Sequence, residues 1–144
     1  MPQLTVYLSF DGNCTEAMRF YERALGGKLT ILMSHGQSPI KDHVPPGNDD
    51  RILHARLEFE GGVLMAGDSM VGMGPHQPMK GFNVVLNYDT TAKAQPVFEA
   101  LAEGGTTGMQ FSEAFWADGF GMCVDRYGTP WIVNGGLRTG WETS

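Results

Sequence analysis

Residues 4–27, LTVYLSFDGNCTEAMRFYERALGG, return 78 positions later as residues 82–105, FNVVLNYDTTAKAQPVFEALAEGG, and reading the two together decides the fold. The alignment needs no gap. Val6-Tyr7-Leu8-Ser9-Phe10-Asp11 falls on Val84-Val85-Leu86-Asn87-Tyr88-Asp89, Phe20 on Phe98, Ala24 on Ala102, and Gly26-Gly27 on Gly104-Gly105. In the first copy Leu4, Val6, Leu8 and Phe10 alternate with Thr5, Tyr7 and Ser9, the period of a strand with one face against a core. The second face is polar but uncharged. Asp11-Gly12-Asn13 then turns the chain. Asn13 or Thr15 caps a helix whose first turn holds Glu16, where the helix dipole favours a carboxylate. Ala17, Phe20, Tyr21, Ala24 and Leu25 form its apolar stripe, and Gly26-Gly27 ends it. In the second copy Phe82 to Tyr88 is a strand, Thr90 or Thr91 opens a helix, and Phe98, Leu101 and Ala102 make the stripe. Pro96 lies inside that helix, which predicts a kinked or late start.

Downstream of each copy lies a hairpin. Leu29 to Met33 reads as a strand and Ser34 to Asp50, rich in Gly, Pro, Asp and Asn, as an exposed loop. Ile52 to Glu60 and Val63 to Ala66 then pair around Gly61-Gly62. The second hairpin occupies residues 115–134, FWADGFGMCVDRYGTPWIVN, with Asp125-Arg126-Tyr127-Gly128 as its turn. The hairpins align with a shift of 67, placing Gly61 on Gly128, Leu64 on Trp131 and Met65 on Ile132. The difference between the two shifts gives the first half about 11 extra residues, which the Ser34 to Asp50 loop supplies. Gly67 to Gly81 reads as a linker or flexible covering loop. The chain is therefore expected to be one α+β domain over residues 1–144, with an internal repeat of two βαβββ modules in residues 1–69 and 81–136.

Composition narrows the partners. The 144 residues carry a net charge of −6 with no Lys/Arg run, which argues against a nucleic-acid or anionic-membrane surface. No apolar run approaches the roughly 18 residues that cross a bilayer. The start of the chain lacks the basic segment of a secretion signal, so a cytoplasmic protein is expected. Cys14 and Cys123 are too few and too far apart for a disulfide framework or a Cys-x-x-Cys site, and both read as packed thiols.

With these residues in view, the chain resembles the vicinal oxygen chelate superfamily of glyoxalase I, bleomycin and fosfomycin resistance proteins and extradiol dioxygenases. Within it, the PhnB-like branch is the nearer resemblance. The residues that carry it are the Glu16-Ala17 and Phe20-Tyr21 pairs before a double glycine, and the His54-Ala55 pair opening the third strand. Phe115-Trp116-Ala117-Asp118, followed by Asp125, Gly128 and Trp131, completes the set. The resemblance covers nearly the whole chain. It implies two βαβββ modules in tandem whose sheets curl around a cup, a homodimer, and a ligand or metal inside the cup. Members of the branch are often labelled 3-demethylubiquinone methyltransferases. Methyl transfer from S-adenosylmethionine calls for a glycine-rich strand-to-helix turn in an alternating α/β fold, whereas the pattern here is that of an antiparallel β protein.

Metalloenzymes of the superfamily place His or Glu on the first and fourth strands of each module. The matching positions here are Thr5, Met65, Asn83 and Ile132, two neutral donors and two apolar side chains, so the expectation is no inherited metal site and no cofactor. A one-residue slip offers Leu4, Leu64, Phe82 and Trp131, which are no better. His43, Asp49, Asp50 and His54 cluster in sequence without a ligand spacing. His54 reads either as a hydrogen bond at a strand edge or as a base facing the cup, and Tyr7 is the other weak acid/base candidate. Cys123 reads as a small apolar strand residue rather than a nucleophile.

Ligand contacts are expected from Tyr7 and Ser9, and by the repeat from Asn83 and Asn87, with His54 beside them. Trp116 either stacks on a planar ligand or plugs the core; Asp118 either orients the ligand or makes a turn. Such a lining suits a neutral or aromatic small molecule. The reading is a metal-free small-molecule-binding protein. The alternative is a metal-dependent or His-assisted lyase, isomerase or dioxygenase-type enzyme.

Overall fold

The opening alternation becomes strand β1, Val6–Phe10, with Leu8 and Phe10 buried and Tyr7 and Ser9 exposed. The fold is seen in a computed structural model that describes residues 2–140. Helix α1 (Cys14–Leu25) follows, then β2 (Lys28–Ser34), β3 (Ile52–Phe59) and β4 (Gly62–Asp68). They form one four-stranded sheet in the order β1-β4-β3-β2. The second series is β5 (Val84–Tyr88), α2 (Thr91–Ala102), β6 (Thr106–Ser112), β7 (Ala117–Val124) and β8 (Pro130–Leu137), in the order β5-β8-β7-β6. By their internal contacts these are two compact units, Met1–Pro78 and Met79–Ser144, each a βαβββ module. The fold is α+β, and the pairs Val6↔Leu64 and Val84↔Trp131 keep both sequence offsets.

The sheets are mixed rather than wholly antiparallel. β1 runs parallel to β4 and β5 parallel to β8, while the other neighbours are antiparallel. The helix carries the chain to the far edge of the sheet, and two hairpin reversals then bring the last strand back beside the first in the same direction.

Each helix covers one face of its sheet. α1 buries Cys14, Ala17, Met18, Phe20 and Tyr21, and its sheet contributes Leu8, Phe10, Ala55, Leu57, Leu64 and Ala66. α2 buries only Ala94, Phe98 and Leu101, against Leu86, Trp131 and Val133. It compensates by lying close to the sheet: a methyl group on Gly121 would sit 2.6 Å from the Phe98 ring, and one on Gly135 would sit 2.8 Å from Ala94 Cβ. Larger residues there would lift the helix off the sheet.

Three local features differ from the sequence pattern. Asn13 stands at the N-cap of α1 without a side-chain capping bond. The Asp68 carboxylate at the end of β4 accepts instead from Gly12 N at 2.8 Å, Cys14 N at 3.1 Å and Ile52 N at 2.8 Å. Phe10 pairs with Asp68, so the parallel strand delivers this acceptor to the helix start. α2 begins on time at Thr91, because Thr90 Oγ1 accepts from Lys93 N, and Pro96 is accommodated inside it. Finally, the Ser34 to Asp50 segment is not a bare exposed loop. It holds short 3-10 turns at His35–Gln37 and Lys41–His43, and buries His35, Ser38 and Asn48. Asn48 donates to Pro45 O and Val71 O and accepts from Val71 N, imitating a strand partner and tying the Gly67 to Gly81 connection to this segment.

The second hairpin turn is organised by Asp125. Its Oδ1 accepts from Tyr127 N at 2.8 Å and Thr129 N at 3.2 Å, while its Oδ2 accepts from the indole of fully buried Trp131 at 2.8 Å. Gly128 supplies a φ of +96°.

Candidate functional site

Residues paired across a sheet share a face. In the second unit α2 takes one face, and the pairs Val85↔Ile132, Asn87↔Asn134, Phe120↔Asn134 and Met122↔Ile132 place these side chains on the other. The chain between β6 and β7 lays Trp116 on this open face. Trp116 packs edge-on against Phe120 and against Phe115, each at a centroid distance of 4.8 Å. Its indole Nε1 donates to Asn134 Oδ1 at 3.1 Å, and Asn134 Nδ2 donates to Asn87 Oδ1 at 2.9 Å. Asn134 and Phe120 are each 7 % exposed, whereas Phe115 is 70 % exposed. An aromatic patch therefore lies beside a polar chain that runs from a buried amide to an exposed one.

Arg138 holds the segment that carries Trp116. Its backbone N donates to Trp116 O at 2.7 Å, Nη1 to Ala114 O at 3.0 Å, Nε to Asp118 Oδ1 at 2.9 Å and Nη2 to Glu113 Oε2 at 2.6 Å. The Glu113 hydrogen bond first, and then that of Asp118, push the Arg138 pKa above its ordinary value. Asp118 is thus occupied with Arg138, and Trp116 is half-buried, anchored by its indole N–H rather than sunk in the core.

In the first unit the corresponding face carries Tyr7, Ser9 and Met65, with Met65 paired to Tyr7 and to Arg56. Tyr7 Oη donates to Leu53 O at 3.0 Å, and its ring stacks on His54 with centroids 6.2 Å apart and planes 15° apart. Burial first, then the neighbouring Cys14 and Asp68, raise the Tyr7 pKa, so this phenol keeps its proton at neutral pH. Thr5 and Asn83 lie just before β1 and β5, exposed, while Met65 and Ile132 sit inside β4 and β8. Among the described residues no three His, Cys, Asp or Glu side chains come together to hold a metal ion. Burial, aided by Asp68, pushes the Cys14 thiol up to about 12; burial, aided by Asp125, pushes Cys123 up to about 11. Neither is a thiolate nucleophile at neutral pH. A surface hollow bordered by Thr91, Ala92, Gln95, Pro96 and Glu99 involves one helix alone and converges no polar groups from a second element.

Sequence reasoning missed Asn134, Phe120 and Arg138. Asn134 had a signal, being the one polar residue in the Trp131-Ile132-Val133-Asn134 run. It shares a face with Ile132, two residues before it.

Two βαβββ units of this kind are also the fold of a glyoxylase/bleomycin resistance protein/dioxygenase domain. The family model described as 3-demethylubiquinone-9 3-methyltransferase matches residues 2–134, and the chain belongs to that PhnB-like family. Protein YjdN of Escherichia coli (strain K12) is 34 % identical over 139 residues, covering 91 % of this chain and 93 % of the relative. Protein PA1353 from Pseudomonas aeruginosa, a crystal structure, is 41 % identical with a TM-score of 0.85, covering 94 % of this chain and 98 % of that one. A glyoxylase/bleomycin resistance protein/dioxygenase domain from Frankia sp. EAN1pec shares the fold, with 14 % identity and a TM-score of 0.69 over 97 % of this chain and 94 % of its own. No described helix is long and apolar enough to cross a membrane.

Proposed function

We propose that this chain is a small-molecule-binding protein that holds a neutral aromatic ligand on the open face of its second sheet, against Trp116, without a metal or cofactor of its own. The observation that carries the reading is the Trp116–Asn134–Asn87 chain, which orients an aromatic ring and ends in an exposed amide. The charged groups next to it, Asp118 and Arg138, are paired with each other, which favours an uncharged partner over an ion. The donor chemistry at Thr5, Met65, Asn83 and Ile132 supports the metal-free half of the reading, since none supplies an imidazole or carboxylate. Tyr7, Ser9, His54 and Asn83 are secondary contacts in this proposal. The same reading takes the two units to be copies of one ancestral module, and the protein to be a cytoplasmic homodimer.

A second reading, a His54-assisted enzyme, draws on the His54 ring stacked against Tyr7. It ranks lower because Tyr7 directs its proton to a backbone carbonyl and its pKa is raised, which leaves His54 without a ready partner for proton transfer. Methyl transfer is left out, because neither sheet is the alternating α/β scaffold that binds S-adenosylmethionine.

Two measurements test the proposal. Elemental analysis of protein purified without chelator is expected to find no stoichiometric divalent metal, and finding one would overturn the metal-free reading. A thermal-shift screen of neutral aromatic compounds is expected to find stabilising ligands, since saturation at 100 times Kd adds about 2.7 kcal/mol to the native state. No stabilisation by any of them would count against binding at Trp116.

A further inference from the structure

The hydrogen-bond chain has only one polarity, and that polarity restricts the ligand. An indole N–H can donate but not accept. The Asn134 atom facing Trp116 Nε1 must therefore be Oδ1, and the atom facing Asn87 must be Nδ2. Asn87 in turn must present Oδ1 to Asn134, which leaves its own Nδ2 directed elsewhere. The usual ambiguity of amide orientation is removed at both asparagines by the indole at the end of the chain. Asn87 is exposed, and among the described residues its Nδ2 donates to nothing. Asn134, 7 % exposed, uses one of its two Nδ2 hydrogens on Asn87, and no described residue accepts the other. Buried donors of this kind ordinarily find an acceptor, from protein, water or ligand. The face thus offers N–H donors beside an aromatic patch, and the carboxylates of the Trp116 segment, Asp118 and Glu113, are already engaged by Arg138.

We infer that the ligand class is a planar, uncharged molecule carrying a carbonyl-type oxygen, which accepts from Asn87 Nδ2 while its ring lies against Trp116 and Phe115. This rests on the reading of the second sheet as the binding face. It goes further in making Asn87 the residue that selects an acceptor over a donor or a plain hydrocarbon. A site that leaves a donor unpaired discriminates against ligands lacking the acceptor.

The test compares coumarin, which has a ring carbonyl, with naphthalene, which has none, on wild-type protein and on Asn87→Asp. That variant keeps an oxygen to accept from Asn134 and replaces the outward N–H by an acceptor. Binding is followed by the Trp116 indole and Asn87 amide signals in ¹⁵N-edited NMR, and the fold is checked by thermal unfolding. Coumarin is expected to bind wild type about tenfold more tightly than naphthalene, and to lose about tenfold in Asn87→Asp while naphthalene changes less than about twofold. If both probes bind and neither responds to Asn87→Asp, the acceptor-selecting role is overturned while the aromatic site survives. If neither probe perturbs the Trp116 signal, the site itself is refuted and this inference with it. Should Asn87→Asp fold poorly, Asn87→Ser, which keeps a short hydroxyl donor, replaces it and is expected to retain part of the coumarin preference. A reduced coumarin preference with unchanged naphthalene binding supports the assignment, and an undiminished preference overturns it.

Discussion

The two units share one strand order but fill their open faces in opposite ways. The pairs Tyr7↔Met65 and Val85↔Ile132 make Tyr7 and Val85 equivalent, and the pairs Ser9↔Gly67 and Asn87↔Asn134 make Gly67 equivalent to Asn134. Likewise Ala55↔Ala66 and Gly121↔Val133 make His54 the counterpart of Phe120. In the first unit a large side chain on the edge strand, Tyr7, crosses a glycine to reach Leu53 O. In the second, a small edge residue, Val85, leaves room for Asn134, and Trp116 comes down from the loop to meet it. The same backbone thus closes one face with its own tyrosine and leaves the other to an aromatic delivered by a loop. Only the second arrangement ends in an exposed, directional polar group.

The largest effect is expected from forcing the second solution onto the first unit. A Cβ at Gly67 meets the Tyr7 hydroxyl and Leu53 O, so Gly67→Asn should destabilise by about 3 kcal/mol in urea unfolding. Adding Tyr7→Val should recover at least about 1 kcal/mol, because the pair then resembles Val85 and Asn134. A double variant no better than the single one would break the equivalence. Next in size, Asn134→Ala removes the acceptor of the Trp116 indole and should cost about 2 kcal/mol, with an upfield shift of that indole N–H in NMR. An unmoved indole signal would detach Trp116 from the polar chain.

Binding should separate the faces further. Trp116→Ala is expected to weaken an aromatic probe such as coumarin by tenfold or more, about 1.4 kcal/mol, whereas Tyr7→Phe should change its affinity by less than about twofold. Reversed sensitivities would move the ligand to the first sheet. The smallest effect is common to both units. The folded Cys14 and Cys123 pKa values lie above the ordinary 9.0, so the stability they contribute is full below about pH 9 and is lost as pH rises through about 12 for Cys14 and about 11 for Cys123. Unfolding midpoints measured from pH 7 to 10 should be flat and then decline, and native protein at pH 8 should react slowly with a thiol reagent. Rapid labelling would contradict the burial of these thiols.

Much of the architecture was legible in local pattern. The alternation of Leu8 and Phe10 with Tyr7 and Ser9, the stripe through Ala17, Phe20 and Tyr21, and the paired glycines mark strand, helix and stop, because burial repeats with the period of the backbone. Trp116 stood out for the same reason, as an aromatic outside any period. The Ser34 to Asp50 segment misled because its polar composition looks solvated. Asn48 is nevertheless fully buried, since one amide can satisfy a distant backbone N–H and C=O together.

By itself the sequence determined the order of elements, the two-fold recurrence of that order and the family, all carried by residue types at short, regular spacings. The tertiary structure decided which polar groups meet: Asp68 with the start of α1 from 54 to 56 residues away, Arg138 with the loop that bears Trp116, and Asn134 between Trp116 and Asn87. Those bonds depend on strand register and on which edge each strand occupies. These are set by packing the whole sheet against its helix, and no local periodicity records them.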